Sequence, residues 1–152
     1  MQRAAPAPAL MRLAAFDAED LAVISAHVQD AVVRGGEMAW LPRARRFALV
    51  LRRFDWPGAA GGRCERLQSG LHIDHVRAVA STGYDPKNTG TVLNLLAVAF
   101  APGEAPAGAV TLTFSGGAAL RLEVDCLELA LSDLGPRWRA ARQPGHTFEE
   151  KA

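Results

Sequence analysis

The sequence has very little cysteine and lysine, and this scarcity excludes several kinds of chemistry. Its 152 residues include Cys 2, and Cys64 and Cys126 are too far apart for the CxxC or Cys/His spacing of a zinc ribbon. Lysine occurs only at Lys87 and Lys151, so a Walker-type phosphate loop and Schiff-base catalysis lack their ammonium group. No serine lies in a GxSxG elbow. We therefore expect neither a metal cofactor nor any other cofactor.

Long apolar runs are also missing from the sequence, and this absence bears on where in the cell the protein is expected. No stretch reaches the roughly 18 uninterrupted apolar residues that cross a bilayer, and Pro6, Pro8 and Arg12 interrupt any signal-peptide core. We predict a cytoplasmic protein with no membrane partner. The content of 49% hydrophobic and 22% charged residues is typical of one globular domain. The predicted organisation is a flexible tail over 1–9, a single α+β domain over 10–140 and a flexible tail over 141–152.

Hydrophobic periodicity predicts one early helix among many strands. Asp17 is a typical helix N-cap, and Leu21, Ile24, Val28 and Ala31 recur at helical spacing, which predicts a helix from Asp17 to about Val32. Strands are predicted at 10–16, 71–79 and 92–100, with a hairpin over 110–124 that turns at 115–117. Leu127, Leu131 and Leu134 share a helical face, so we predict a short C-terminal helix ending at Gly135.

This element order predicts an α+β fold instead of alternating βαβ units. We expect one antiparallel sheet or partly closed barrel of about six to seven strands, with a helix after the first strand and a short C-terminal helix. A pleckstrin-homology-like barrel is one architecture that fits this order.

The most informative segment is a predicted β-hairpin over residues 38–56. Apolar residues alternate on both sides of the turn Pro42-Arg43-Ala44-Arg45, and arginines follow at 46, 52 and 53. Alternation places Arg52 and Arg53 on opposite faces of their strand. We predict a binding surface built from this hairpin and the nearby helix end, with the following residues: Gln29, Asp30, Trp40, Arg43, Arg45, Arg46 and Arg53. A purely protective role is the alternative, because charged tips discourage edge pairing of strands.

Two other groups of residues carry possible chemistry. His72 and Asp74 point to one face of a predicted strand and His75 to the other, so three metal ligands do not converge. Cys64 lies between Arg63 and Glu65 with Arg66 nearby, and the two arginines would favour its thiolate. An exposed strand face and an ordinary surface thiol are the alternative interpretations.

Several of these segments resemble the DUF2948 family of small uncharacterised alphaproteobacterial proteins. The resemblance is carried by Asp20 to Val32, by Met38-Ala39-Trp40-Leu41-Pro42 and by Arg45-Arg46-Phe47-Ala48. It continues through the Val92-Leu93-Asn94-Leu95-Leu96-Ala97 run, the Phe114-Ser115-Gly116-Gly117 turn and Asp133-Leu134-Gly135. The resemblance implies a bacterial, cytosolic, single-domain protein, and it implies no reaction, cofactor or catalytic residue. The family pattern favours Asn where this chain has Arg52, which directs attention to Arg45 and Arg46 instead.

The specific function therefore stays unknown from sequence, with three hypotheses. The first is a non-enzymatic module that binds a protein partner or itself, since an acidic helix precedes a basic hairpin and opposite charges steer association. The second is RNA or phosphate-anion binding through Arg43, Arg45, Arg46 and Arg53, in which case nucleic acid is the partner. The third is a metal-dependent or thiol enzyme that uses His72, Asp74 or Cys64.

Overall fold

A computed structural model describes residues 10–141 and 144. These residues form an α+β fold of nine strands and two α-helices, as follows: β1 Arg12–Ala15, α1 Ala18–Val28, β2 Ala31–Leu41, β3 Arg46–Phe54, α2 Trp56–Ala60, β4 Glu65–Ile73, β5 Val76–Thr82, β6 Val92–Pro102, β7 Gly108–Phe114, β8 Ala119–Val124 and β9 Leu129–Arg139. The α+β class is confirmed, whereas the predicted six to seven strands were too few. The predicted tail over 1–9 lies outside the described residues, as does most of the predicted tail over 141–152.

All nine strands belong to one antiparallel sheet with the order β1-β9-β4-β3-β2-β6-β7-β8-β5. The sheet is open, so the closed-barrel alternative is wrong. Its edge strand β5 nevertheless approaches the start of β3, because the Val76 N–H donates to the Arg45 carbonyl at 2.9 Å. This contact brings the β5 end of the sheet back towards the β2–β3 hairpin.

Helix α1 begins as the sequence predicts but ends earlier. Asp17 is the N-cap, and its side chain accepts a hydrogen bond from the Asp20 N–H at 2.8 Å. Leu21, Ile24 and Val28 form the buried stripe. The predicted extension to Val32 is wrong: Asp30 has a φ of 64°, in the left-handed region, and strand β2 starts at Ala31. The β-branched pair at 32 and 33 favours the strand.

The predicted hairpin is formed by β2 and β3, and its apolar residues alternate between two faces. Trp40 pairs with Phe47 and Met38 with Leu49, while Ala39 pairs with Ala48 on the opposite face. The turn is a 3-10 helix over Pro42–Ala44, followed by Arg45 with a left-handed φ of 52°. An irregularity between Val33 and Met38 shifts the register of β2, which turns the second half of this strand away from β6.

The predicted C-terminal helix is wrong, because its residues form strand β9. Leu129, Leu131 and Asp133 are buried, whereas Leu134 is exposed, so the chain alternates with a period of two. A spacing of leucines that fits a helix also fits a strand in part, and pairing with β1 and β4 decides between them. Strand β9 is the second strand of the sheet, between the edge strand β1 and β4.

The main core lies between the inner face of the sheet and α1. Its largest buried side chains come from α1, from the hairpin and from β6 to β8, and include Leu21, Ile24, Leu51, Leu95, Leu112 and Phe114. The outer face of β2, β3, β4 and β9 carries a groove lined by residues of these four strands. No helix in these ranges is long and apolar enough to cross a membrane.

Candidate functional site

The residues of the predicted binding surface separate into two groups at opposite ends of the hairpin. Arg43, Arg45 and Arg46 lie at its tip, whereas Asp30 and Arg53 lie at its base. Strand β3 has 9 residues, so roughly 30 Å of extended chain separates the two ends. The helix end and the hairpin tip therefore do not form one continuous surface, which corrects that part of the prediction.

At the base, Arg53 is buried and paired with Asp133. The Arg53 Nε and Nη2 atoms each donate to an Asp133 carboxylate oxygen at 2.9 Å, and their side chains are 2% and 0% exposed. The Ser69 hydroxyl and the Met11 N–H also donate to this carboxylate, at 2.7 and 2.8 Å. Burial alone would raise the pKa of Asp133, but these hydrogen bonds hold the pKa below its usual value. Arg53 thus serves the interior and is not available to a partner.

A second ionic group at the base joins α2 to strands β4 and β9. Asp55 is buried and accepts hydrogen bonds from Arg137 at 2.7 Å and from Arg63 at 3.3 Å. Burial would raise the pKa of Asp55, but the Gly58 N–H and the two guanidinium groups lower it. The network ties together three segments that are distant in sequence.

The helix end is tied to the same region through its backbone. Gln29 is exposed, and its carbonyl accepts a hydrogen bond from the Trp56 indole N–H at 3.1 Å. Asp30 is 7% exposed, and its carbonyl faces the Arg66 guanidinium at 3.5 Å. These contacts favour a structural role for this pair of residues.

His27 makes stability sensitive to acid. Burial and the positive charge of Arg53 lower the pKa of His27, so on acidification the unfolded chain binds this proton at a higher pH than the folded chain does. Asp133 and Asp55 act in the same direction below about pH 4, the ordinary carboxyl range. Because the unfolded state binds more protons in both ranges, we expect the free energy of unfolding to fall in two stages on acidification.

Urea unfolding between pH 8 and pH 3 tests this expectation. His27→Gln should flatten the first stage and leave the second intact. If the free energy of unfolding of His27→Gln fell between pH 8 and 5.5 as much as that of the parent protein, the role given to His27 would be contradicted.

The groove on the outer face has a volume of about 540 Å³. Its floor is made of small residues that alternate outward from adjacent strands, namely Ala39, Ala48, Val50, Gly70 and Ser132. Leu41 and Leu134 form apolar walls and are 43% and 55% exposed. Small side chains on a sheet leave room above the backbone, so this face can accept apolar side chains from another molecule.

Ion pairs mark the two ends of the groove. At the tip end, the Arg46 Nε donates to Asp74 at 2.6 Å, and the His72 Nδ1 lies 3.4 Å from the other oxygen of Asp74. At the far end, Arg52 binds Glu37 through two hydrogen bonds of 2.9 and 3.2 Å. The structure therefore brings His72 and Asp74 together at the groove, as their alternation predicts.

Within the described ranges, no third ligand lies near these two residues. His75 has a left-handed φ of 60° and pairs with Glu128 at 2.9 Å, away from His72. In the described part of the chain, no three His, Cys, Asp or Glu residues are grouped so that they could hold a metal ion. Cys64 and Cys126 are free, half-buried thiols.

The arginines of the tip differ in how they are paired. Arg45 contacts Asp125 at 3.2 Å and is 58% exposed in its side chain, while Arg46 is engaged with Asp74. Arg43 is exposed and makes no ion pair with any described residue. Arg43 thus places an exposed cation in the turn between Leu41 and Arg46, both of which line the groove.

Comparison with known proteins places the chain in a family. Residues 11–146 match the family described as "Protein of unknown function (DUF2948)". The chain belongs to the DUF2948 family. Neither the curated proteins nor the solved structures yielded a match. DUF2948 membership confirms the resemblance seen in the sequence and assigns no specific function.

Sequence reasoning did not find the outer groove of this DUF2948 protein. The sequence signal for this groove is the set of small outward residues at 39, 48 and 70. These residues can be recognised as one surface only once β2, β3 and β4 are known to be neighbours. The leucine spacing predicts that Leu134 shares a helical face with Leu127 and Leu131, whereas the strand that replaces the helix leaves Leu134 exposed.

Proposed function

We propose that this protein is a non-enzymatic interaction module that binds an acidic, leucine- or phenylalanine-bearing segment of a partner protein in the outer groove. The observation that carries the proposal is the apolar groove next to the arginines of the hairpin tip. A cytoplasmic location is part of the proposal, and the low cysteine content of the sequence supports it.

Exposed apolar area supports a binding role for this face. Leu41 and Leu134 stand at the sides of a floor of small residues, and covering them would remove apolar surface from water. Interface centres that exclude water around apolar anchors account for most of the affinity in protein complexes. The groove provides such a centre, four strands wide.

Charge supports an acidic partner. Arg43 has no ion-pair partner within the described ranges, and the paired arginines 45 and 46 remain about half exposed. A carboxylate arriving near the tip would gain a partner at Arg43 without breaking an existing pair. Arginine also suits this role because its guanidinium binds carboxylates through two parallel hydrogen bonds.

Selection from a random 12-residue peptide display library tests the proposal. We expect the selected peptides to be acidic and to contain large apolar residues. Leu134→Glu and Arg43→Glu should each weaken the measured affinity at least about tenfold, since one removes apolar contact and the other adds repulsion.

Arg121→Glu is the matched control, because Arg121 is exposed on β8 and carries the same charge change. Selected peptides whose affinity is unchanged by Leu134→Glu and Arg43→Glu would overturn the proposal. So would binding to single-stranded RNA that weakens steeply with salt and is unaffected by Leu134→Glu, because that result favours the anion-binding hypothesis.

A further inference from the structure

A second pocket, of about 330 Å³, lies between the hairpin and edge strand β5 on the inner side of the sheet. Its walls come from Met38, Trp40 and Phe47 of the hairpin and from Val79 of β5, with Tyr84 from the following loop. None of these residues lines the outer groove except Met38. This pocket is therefore a separate feature of the molecule.

Backbone hydrogen bonds frame the pocket at both ends. The Val76 N–H bonds to the Arg45 carbonyl at 2.9 Å, and the Gly35 N–H bonds to the Thr91 carbonyl at 2.7 Å. Between these points, no described strand pairs with the edge of Met38–Leu41 that faces away from β3. The result is a framed window in the sheet.

The chemistry of the lining favours an aromatic ligand. Trp40, Phe47 and Tyr84 supply aromatic rings, and the Met38 thioether makes favourable contacts with rings. Tyr84 is held in place by an edge-to-face contact with Phe114, with ring centres 6.2 Å apart. Among the residues that the structure describes, none that lines the pocket is charged, so a charged ligand would lose hydration without gaining a partner.

Three of the lining residues also carry polar groups that can form hydrogen bonds. The Trp40 indole N–H and the Tyr84 and Ser81 hydroxyls make no hydrogen bond to another residue that the structure describes. The Tyr84 hydroxyl is protonated at neutral pH, as a phenol with the ordinary pKa of about 10 is, and can donate a hydrogen bond; burial raises its pKa further. Apolar walls with a few convergent polar groups are the usual composition of a small-molecule site, and the volume lies at the lower end of the usual range of about 300–1,000 Å³.

We propose that this window pocket binds a small neutral aromatic molecule with a hydrogen-bonding substituent, of the phenol or indole class. The proposal is independent of partner binding in the outer groove. The ring would lie among Trp40, Phe47 and Met38, and its polar substituent would bond to Ser81 or Tyr84.

Ligand-observed NMR with 4-methylphenol as the probe tests this inference, with cyclohexanol and benzoate as matched probes. We expect a Kd on the order of 0.1–1 mM for 4-methylphenol, which is typical of a ligand of this size, and binding at least tenfold weaker for the other two. Trp40→Ala and the pocket-filling Ser81→Leu should each abolish most of the binding. Val50→Leu and Leu134→Glu, on the outer face, should leave it unchanged.

Fluorescence locates the bound probe. The sequence has Trp 3, so Trp56→Phe with Trp138→Phe leaves Trp40 as the sole reporter, and 4-methylphenol should shift its emission. Equal binding of benzoate, full binding by the folded Ser81→Leu variant, or no response up to the solubility limit of 4-methylphenol would each overturn the proposal. The outer-face variants test partner binding in the outer groove, and the pocket variants test ligand binding in the window pocket. The two proposals can therefore fail separately.

Discussion

Asp133→Ala is expected to lower the free energy of unfolding by about 3–5 kcal/mol, among the largest effects of any single substitution in this chain. The substitution leaves the Arg53 guanidinium, which is 2% exposed, without its counter-charge. It also removes the acceptor used by the Ser69 hydroxyl and the Met11 N–H. Chemical denaturation followed by circular dichroism measures the loss.

Glu37→Ala is the control for this prediction. It breaks the bidentate pair with Arg52, whose geometry is similar but whose side chains are 21% and 27% exposed. Because solvent screens that pair, we expect a loss of about 0.2–1 kcal/mol. The triple variant Arg53→Met, Ser69→Ala and Asp133→Leu should be more stable than Asp133→Ala, since it leaves no buried, unpaired guanidinium at position 53. A loss below about 1 kcal/mol for Asp133→Ala would contradict the structural role of the buried pair.

Phe114→Ala is expected to cost about 3–5 kcal/mol of stability. Phe114 is 1% exposed in the main core, at the end of β7, and it also supports the ring of Tyr84. Its loss should therefore reduce thermal stability and also weaken 4-methylphenol binding in the window pocket. Thermal unfolding and ligand-observed NMR on the same sample report both effects.

Thr113→Ala provides the comparison, because Thr113 is exposed on the same strand. We expect this variant to remain within about 0.5 kcal/mol of the parent protein. Phe114→Leu separates the two roles of the ring, since it keeps much of the buried volume and removes the edge-to-face contact. Equal stability of the alanine variants at 113 and 114 would show that the core is not organised around Phe114.

Much of the fold could be predicted where the sequence pattern is local. The α1 N-cap at Asp17, the two faces of the hairpin and the β7–β8 turn depend on residues within a few positions of each other. The helix end at Val28 could not be predicted in the same way, because Ala31 fits both a helical stripe and a strand. Pairing of β2 with β6 selects the strand.

The candidate sites depend on contacts between distant parts of the chain, which one sequence does not reveal. Arg53 and Asp133 are 80 residues apart, so the burial of this arginine cannot be foreseen from the hairpin alone. Alternation correctly predicts that Arg52 and Arg53 lie on opposite faces of their strand, but it does not predict which of the two side chains faces inward. The window pocket needs the return of β5 to the hairpin, where the Val76 N–H donates to the Arg45 carbonyl.

The pairing of β1 with β9 also determines when this sheet can be completed during synthesis. Arg12 aligns with Ser132, and β9 separates β1 from β4 in the finished sheet. Strand β9 is the last described strand to leave the ribosome. Until it does, the edges of β1 and β4 that pair with β9 remain unpaired. Such long-range pairing slows folding relative to helical proteins of similar size, and chains released before β9 would expose both edges to neighbouring molecules.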